Sequence, residues 1–276
     1  MRWFKKPAKA DDIESASVEL PPAPFSMEIV ESKLNSLLSA ISEAGGLDGV
    51  ETLVRAIAAK SEAFQQRLSG SALESEDVRV LSAIVFSVRR KIGAHLPGQG
   101  SRLADAIEQL RQGHDAVEDR LEEFSSTLGD DKKLRRGLWD FGAEILHFSE
   151  PDRFPLLTRW VWDTNTTAGA LREFLKGNDT LRTVPIEAGL AAAVHYRQWF
   201  YEALAELGFY RDLPFLVDLL WAQAYADYAK SLSMQFGLID AQFGAKQDPL
   251  ELVVKLLGID AAEGRLKTFD SAPAVQ

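Results

Sequence analysis

Hydrophobic residues recur along most of the chain at intervals of three and four, which is the period of an α-helix rather than of a β-strand. The first such stretch follows Ser26, and its apolar residues are Val30, Leu34, Leu37, Leu38 and Ile41. Similar stretches cover 50–68, which ends near Gly70, and 75–92. No segment alternates apolar and polar residues for long enough to indicate a sheet. The pattern therefore predicts an all-α protein.

The most regular stretch lies in the middle of the chain, where one seam follows the four-three spacing of a heptad repeat. The seam residues are Leu103, Ile107, Leu110, His114, Val117, Leu121 and Phe124. We expect one continuous helix over 101–127, about 40 Å long at roughly 1.5 Å per residue. The next helix repeats the spacing from Leu134 to Phe148, and the short link between them predicts an antiparallel pair.

Two prolines, Pro151 and Pro155, end that helix, because proline lacks an amide hydrogen and clashes with the preceding turn. The stretch 145–164 also contains Phe148, Phe154 and two tryptophans, so we expect an aromatic corner that locks this helix to the C-terminal helices. Glycine, proline and capping residues then predict four further helices, over 167–177, 185–208, 212–237 and 248–258.

Taken together, the elements predict a multi-helix bundle of roughly eight to ten helices with a disordered N-terminal tail. The tail covers 1–24, because that segment has few large apolar residues and ends in prolines. A single helical domain covers 25–260, with a subdivision considered near 128–150, and a loose tail covers 261–276.

Composition narrows the classes of protein that this chain can belong to. The 276 residues are 46% hydrophobic and include no Cys, which excludes disulfide frameworks and thiol nucleophiles. The formal net charge of −10 opposes binding of nucleic acid or anionic membrane by the chain as a whole, unless its bases are clustered. No signal peptide and no transmembrane segment is recognisable in the sequence, so we expect a cytoplasmic protein.

One helix carries a polar stripe that is typical of some metal sites. Asp140, Glu144 and His147 lie at i, i+4 and i+7, and Glu-x-x-His is the spacing with which helix bundles offer two ligands to one metal. A second such pair is missing from the sequence, although His114 and Glu118 on the neighbouring helix could substitute in part. A hydrogen-bonded core histidine is the simpler interpretation, and we predict neither a resident metal nor a cofactor.

The loop between two predicted helices at 95–107 has the composition of a phosphate-binding turn. Glycines let backbone amides approach an anion, and a helix N-terminus favours negative charge. The loop resembles the hairpin of helix-hairpin-helix DNA-binding proteins, through the matching residues Leu96, Pro97, Gly98, Gly100, Ala104 and Ile107. Gln99 departs from the family pattern, which favours an apolar residue there.

A second segment, 145–161, resembles the Leu-His-Phe-x-x-Pro-x-x-Phe-Pro-x-x-Asp stretch of helix-hairpin-helix DNA-glycosylase-like proteins. The matching residues are Leu146, His147, Phe148, Pro151, Phe154 and Pro155. Thr158 takes the place of the acidic residue of that family, so the resemblance implies nucleic-acid binding without glycosylase activity. The residues that would contact phosphate are Arg89, Arg90, Lys91, Gly98, Gly100, Arg102, Lys132 and Arg136.

Aromatic residues provide the remaining candidate surface, which consists of Trp160, Trp162, His195 and Trp199. No complete catalytic motif accompanies them, such as a Gly-x-Ser-x-Gly elbow or a phosphate-cradling Gly-rich loop. Our primary interpretation is a cytoplasmic, non-catalytic accessory protein that holds a protein partner through helical and aromatic surfaces. The alternatives are a helix-hairpin-helix-like nucleic-acid binder and a metal-dependent helical-bundle enzyme.

Overall fold

The structure, a computed structural model, describes residues 21–42, 47–70, 72–235 and 249–261. Within these residues the chain forms nine α-helices: α1 (Met27–Ser42), α2 (Leu47–Leu68), α3 (Ser75–Ala83), α4 (Leu96–Gln112), α5 (Val117–Ser125), α6 (Lys132–Ser149), α7 (Leu190–Glu206), α8 (Leu213–Gln235) and α9 (Pro249–Leu256). Short 3-10 helices cover Ile92–Ala94, Ala170–Phe174 and Ile259–Ala261. The described ranges contain no strand, so the prediction of an all-α, multi-helix bundle is confirmed.

The helical periodicity of the sequence corresponds to buried faces in the structure. Buried apolar residues of all nine helices belong to one contiguous cluster. Within it, α6 packs against α2, α4 and α5, while α8 packs against α1, α2, α7 and α9. Helix α2 therefore contacts both of the helices around which the bundle is organised.

The predicted continuous helix over 101–127 is wrong, because the chain breaks at Gly113 and restarts as α5. Gly113 has an extended ψ of 148°, which turns the backbone out of the helix. The Arg120 guanidinium lies against this break and donates hydrogen bonds to the carbonyls of Leu110 and Arg111, which a helix end leaves unpaired. A Cβ at position 113 would lie 2.6 Å from the Arg120 Cδ, so the close approach depends on glycine.

Other helix boundaries also differ from the prediction. Helix α3 ends at Ala83, and 167–177 forms only the five-residue 3-10 helix at Ala170–Phe174. Helix α7 begins at Leu190 rather than at Pro185, because Gly189 has a φ of +99° that a regular helix does not tolerate. The predicted helix end at Gly237 and helix start at Asp248 lie outside the described residues. Residues 1–20 and 262–276 of the predicted tails lie outside them as well.

The stretch after α6 forms the aromatic corner that the sequence predicts. Phe148 and Phe154 are each 1% exposed, and the chain between them turns without continuing the helix. The Arg197 guanidinium of α7 donates to the carbonyls of Pro151 and Asp152, both at 2.6 Å. The corner is therefore held by packing on one side and by hydrogen bonds to its backbone on the other.

We expect Phe148→Ala to lower the free energy of unfolding by roughly 3–5 kcal/mol, which is typical for truncating a fully buried phenylalanine. The Phe148 ring packs against the Phe64 ring at 5.4 Å, so its removal opens a cavity that neighbours fill only in part. Chemical denaturation checks the value. Tyr210→Ala is the control, because this side chain is 72% exposed, and its removal should change stability by no more than about 0.5 kcal/mol. Equal changes in the free energy of unfolding for the two variants would contradict a stabilising role of Phe148 in the corner.

Candidate functional site

The polar stripe of α6 lies inside the bundle and each of its members is already paired. Asp140, Glu144 and His147 are 4%, 3% and 1% exposed. Residues at this spacing share one helix face, which here is turned toward α2, α8 and the returning corner. Asp140 accepts hydrogen bonds from the amide of Arg159 at 2.9 Å and from its guanidinium at 2.8 Å.

Glu144 forms a buried ion pair with Lys60 of α2. The Lys60 Nζ lies 2.5 Å from the Glu144 Oε2 and donates a second hydrogen bond to the carbonyl of Leu257 at 2.7 Å. The ammonium also lies 4.2 Å from the centre of the Phe148 ring. Burial raises the pKa of Glu144 to about 7 and lowers the pKa of Lys60, although the attraction between the two groups opposes both shifts.

His147 connects α6 to the corner and to α8. Its Nδ1 lies 2.8 Å from the carbonyl oxygen of Phe154, which can only accept, so Nδ1 carries a proton. Its Nε2 lies 2.7 Å from the Oδ2 of Asp218. For this contact to be a hydrogen bond, either the His147 Nε2 or the Asp218 Oδ2 must carry a proton. His147 is thus the hydrogen-bonded core histidine of the simpler interpretation.

The structure does not assemble the metal ligands considered from the sequence. His114 is not on the heptad seam but exposed in the break between α4 and α5. Glu118 accepts a hydrogen bond from the amide of Leu190 at the start of α7. Within the described ranges, no group of three or more His, Cys, Asp or Glu residues is arranged to hold a metal ion.

The loop that resembles a helix-hairpin-helix turn has the backbone geometry of a type II turn. Pro97 has φ and ψ of −59° and 111°, and Gly98 has 84° and −6°. A positive φ at the second position requires glycine, and the helical part of α4 starts directly afterwards. A Cβ built on Gly98 would have no atom within 4 Å, so the turn faces open space. Gly100 instead packs against Ser75 of α3.

Exposed bases lie before and after this turn in the chain, and others lie on α6. Arg90, Lys91 and Arg102 are exposed and make no ion pair with any described residue. Lys132 and Arg136 of α6 are likewise exposed and unpaired within the described chain. Helix α6 approaches the loop after α3 at Gly137, where a Cβ would lie 3.5 Å from the carbonyl oxygen of Ser87 and 4.0 Å from the Lys91 Cδ.

Arg89 does not belong to this surface. Its Nη1 lies 2.8 and 2.9 Å from the two carboxylate oxygens of Asp260, so the structure assigns it to an intramolecular ion pair. The phosphate-contacting set predicted from the sequence therefore loses Arg89, while Arg90, Lys91, Arg102, Lys132 and Arg136 remain accessible.

The four residues predicted as an aromatic binding surface do not form one surface. The Trp160 ring packs on Tyr225 of α8 at 6.1 Å, whereas the Trp199 ring packs on Phe25 at 5.5 Å. His195 is half-buried beside Tyr196, and Trp162 lines a separate cleft. Among the large hydrophobic side chains of the described residues, Phe86 and Tyr210 are the exposed ones.

That cleft has a volume of about 680 Å³ and was not predicted from the sequence. It lies between α5, the first half of α6, the segment 156–165 and the start of α7. Its walls include Trp139, Trp162, Trp221 and Thr158, with Lys132 and Arg136 also in the lining. The sequence signal was the i, i+4, i+7 spacing of Lys132, Arg136 and Trp139, which places the three residues on one face of α6.

We expect Lys60→Met to destabilise the protein by roughly 3–5 kcal/mol, because it leaves a buried carboxylate without its counter-charge. The double variant Lys60→Met with Glu144→Leu should recover most of this loss, since apolar residues of similar volume replace a buried ion pair at little net cost. Denaturant unfolding of the single and double variants checks the difference. A double variant as unstable as Lys60→Met would contradict the ion pair.

We also expect the Glu144 carboxyl to titrate near pH 7, because its pKa in the folded protein is raised to about 7 from 4.5. The unfolded chain releases this proton at lower pH, so the contribution of Glu144 to stability falls as the pH rises from about 4.5 to about 7. A carbon-13 NMR titration of the carboxyl groups checks the midpoint, with Glu144→Gln identifying the signal. A midpoint at or below 4.5 would show that the attraction of Lys60 outweighs the cost of desolvating the Glu144 carboxylate, and would contradict the expected pH dependence.

No described helix is both long and apolar enough to cross a membrane. Comparison of the chain with models of known protein families, with curated proteins and with solved structures found no match.

Proposed function

We propose that the protein binds the phosphate backbone of nucleic acid through the turn at Pro97–Gly98 and the exposed bases around it. The observation that carries this proposal is the type II turn, which leads directly into α4 and faces open space. Backbone amides at a helix N-terminus attract anions, and a glycine at the turn lets a phosphate approach them closely.

The arrangement of the bases supports the same proposal. Arg90 and Lys91 precede the turn, Arg102 lies in the first turn of helix after it, and Arg136 is next to the Gly137 contact with Lys91. Their side chains are exposed and form no ion pair at contact distance with a described carboxylate, which supports their availability to phosphates. Asp131, the acid directly before the basic run of α6, caps that helix by accepting from the amide of Leu134 at 2.8 Å.

Glycosylase chemistry is not part of the proposal. The resemblance to helix-hairpin-helix glycosylase-like proteins places Thr158 at the position of the family's acid, and a hydroxyl does not supply a carboxylate. The nearby carboxylates of Asp140 and Asp218 are engaged by Arg159 and His147. Binding without base excision is thus the function that the geometry favours.

The primary interpretation from the sequence, an accessory protein that holds a protein partner, receives less support. It relied on exposed aromatic residues, and Trp160 and Trp199 each pack against other rings of the bundle. We therefore place nucleic-acid binding ahead of it. A cytoplasmic location stays a prediction.

We expect the purified protein to bind labelled double- or single-stranded DNA or RNA with an affinity that falls steeply as salt rises, because phosphate binding releases counterions. The double variant Arg90→Glu with Arg136→Glu should weaken binding and lower the slope of log affinity against log salt by about two units. Fluorescence anisotropy over a salt series at constant pH measures both quantities.

Two matched control variants distinguish binding at this surface from the effects of overall charge and of backbone strain. Arg182→Glu with Arg211→Glu changes the charge by the same amount at exposed positions before α7 and α8, and should leave the salt slope unchanged. Gly98→Ala should weaken binding, whereas Gly208→Ala, also at a positive φ with no atom near the added Cβ, should not. Binding that is absent at low salt, or reduced equally by both charge variants, would refute the proposal.

A further inference from the structure

Phe86 is an exposed aromatic residue in the segment 84–91, which leads from α3 toward the Pro97–Gly98 turn. It is 39% exposed, and Tyr210 is the other exposed large hydrophobic residue of the described chain. A single exposed aromatic residue is common on protein surfaces and does not by itself indicate a ligand. The surroundings of Phe86 therefore decide whether its ring can bind one.

The backbone after α3 places basic residues beside the Phe86 ring. The amide of Arg89 donates to the carbonyl of Val85 at 2.9 Å, which closes a turn of helical type around Phe86. Arg90 and Lys91 follow directly, and both are exposed. Four residues of chain span at most about 14 Å, so the Arg90 guanidinium lies within side-chain reach of a ligand on the ring.

One side of the Phe86 ring is covered by an arginine that cannot move freely. The Arg89 Cζ lies 5.0 Å from the centre of the ring, which is within the range of a cation–π contact. Its Nη1 lies 2.8 and 2.9 Å from the two carboxylate oxygens of Asp260. Because this ion pair fixes the guanidinium, the ring is supported from one side, and its uncovered part remains available to a planar ligand.

A planar ligand that also carries phosphates is an unpaired nucleotide. Single-stranded nucleic acids are bound by basic residues that contact the backbone together with aromatic side chains on which the nucleobases stack. In a duplex the nucleobases stack on one another, so an aromatic side chain beside the phosphates has no free face to contact. An exposed ring next to unpaired basic residues thus favours a single strand.

Resting on the nucleic-acid binding proposed above, we propose that Phe86 stacks on an unpaired nucleobase and that the partner of this surface is a single strand. Arg90 and Lys91 contact the phosphates next to that nucleobase, and the Pro97–Gly98 turn contacts a further phosphate. Stacking uses the face of the nucleobase and not the sugar, so the proposal applies to both DNA and RNA strands.

The test compares a labelled single-stranded oligonucleotide with the duplex of the same sequence, by fluorescence anisotropy over a salt series. We expect the parent protein to bind the single strand more tightly. Phe86→Ala should weaken binding of DNA and RNA single strands roughly tenfold, because it removes one stacked nucleobase. It should leave the salt slope unchanged, since stacking releases no counterions. Duplex binding should not change, which also shows that the variant is folded.

Three further variants separate stacking from apolar contact and from exposure alone. Phe86→Tyr keeps a flat ring and should bind the single strand as the parent does. Phe86→Leu keeps an apolar side chain without a ring and should lose as much affinity as Phe86→Ala. Tyr210→Ala removes the other exposed aromatic residue and should have no effect. Binding by Phe86→Leu that equals that of the parent would overturn stacking.

Photochemical cross-linking gives a readout in the unaltered protein. A single strand that contains 5-iodouracil should cross-link to Phe86 on irradiation, and mass spectrometry of the tryptic peptide 80–89 locates the bond. Cross-links confined to other peptides would contradict the proposal.

The outcomes also distinguish this inference from the function on which it rests. Absence of salt-sensitive binding to any nucleic acid would refute both. Salt-sensitive binding that Arg90→Glu with Arg136→Glu weakens, but that Phe86→Ala leaves intact for single strands, would refute the stacking role alone.

Discussion

An ammonium group inside an apolar bundle is tolerable only if other groups replace the water that it loses, and Lys60 meets this condition with three. Glu144 supplies the opposite charge, the carbonyl of Leu257 accepts a second hydrogen bond, and the face of Phe148 supplies partial negative charge. These groups come from α6 and from the turn after α9. The turn itself is close, since a Cβ on Gly258 would lie 3.0 Å from the Lys60 Nζ. One desolvated charge therefore fixes the relative positions of α2, α6 and the C-terminal helix.

The orientation of α6 depends on this pair. Asp140, Glu144 and His147 share one face of α6, so pairing of Glu144 with Lys60 also directs the other two side chains into the bundle. There His147 binds the backbone at Phe154, and Asp140 binds the backbone at Arg159. The polar residues that resemble metal ligands thus anchor the corner at the end of the helix. The flank of α6 that carries Lys132, Arg136 and Trp139 then lines the cleft. A single helix contributes to the core, the corner and the candidate sites because its polar residues fall into separate stripes.

The spacing of apolar residues in the sequence predicted which face of each segment is buried, because spacing determines the directions of the side chains. Leu103, Ile107 and Leu121 are buried as expected, but the helix that was predicted to join them breaks at Gly113, and His114 of the predicted seam is exposed. Apolar spacing continues on both sides of the break, so it does not detect an interruption that Arg120 stabilises by a hydrogen bond to the carbonyl of Leu110. The site shows the same limit. Glu144 and His147 share a face as predicted, but their partners lie 84 and 71 residues away in the chain, and nothing local to either partner marks it.

The net charge of the chain is a poor guide to phosphate binding at the Pro97–Gly98 turn, because it does not report where the charges lie. A formal charge of −10 describes the whole chain, whereas ions of physiological strength screen exposed charges beyond about 8 Å. A phosphate at the turn would therefore respond mainly to the few bases near it, such as Arg90, Lys91 and Arg102, rather than to carboxylates elsewhere on the bundle. The segment 99–150 carries more acids than bases, but Asp131 is used as a helix cap and Glu122 pairs with Arg135. Only the fold separates charges that are engaged within the protein from those that remain available to a ligand.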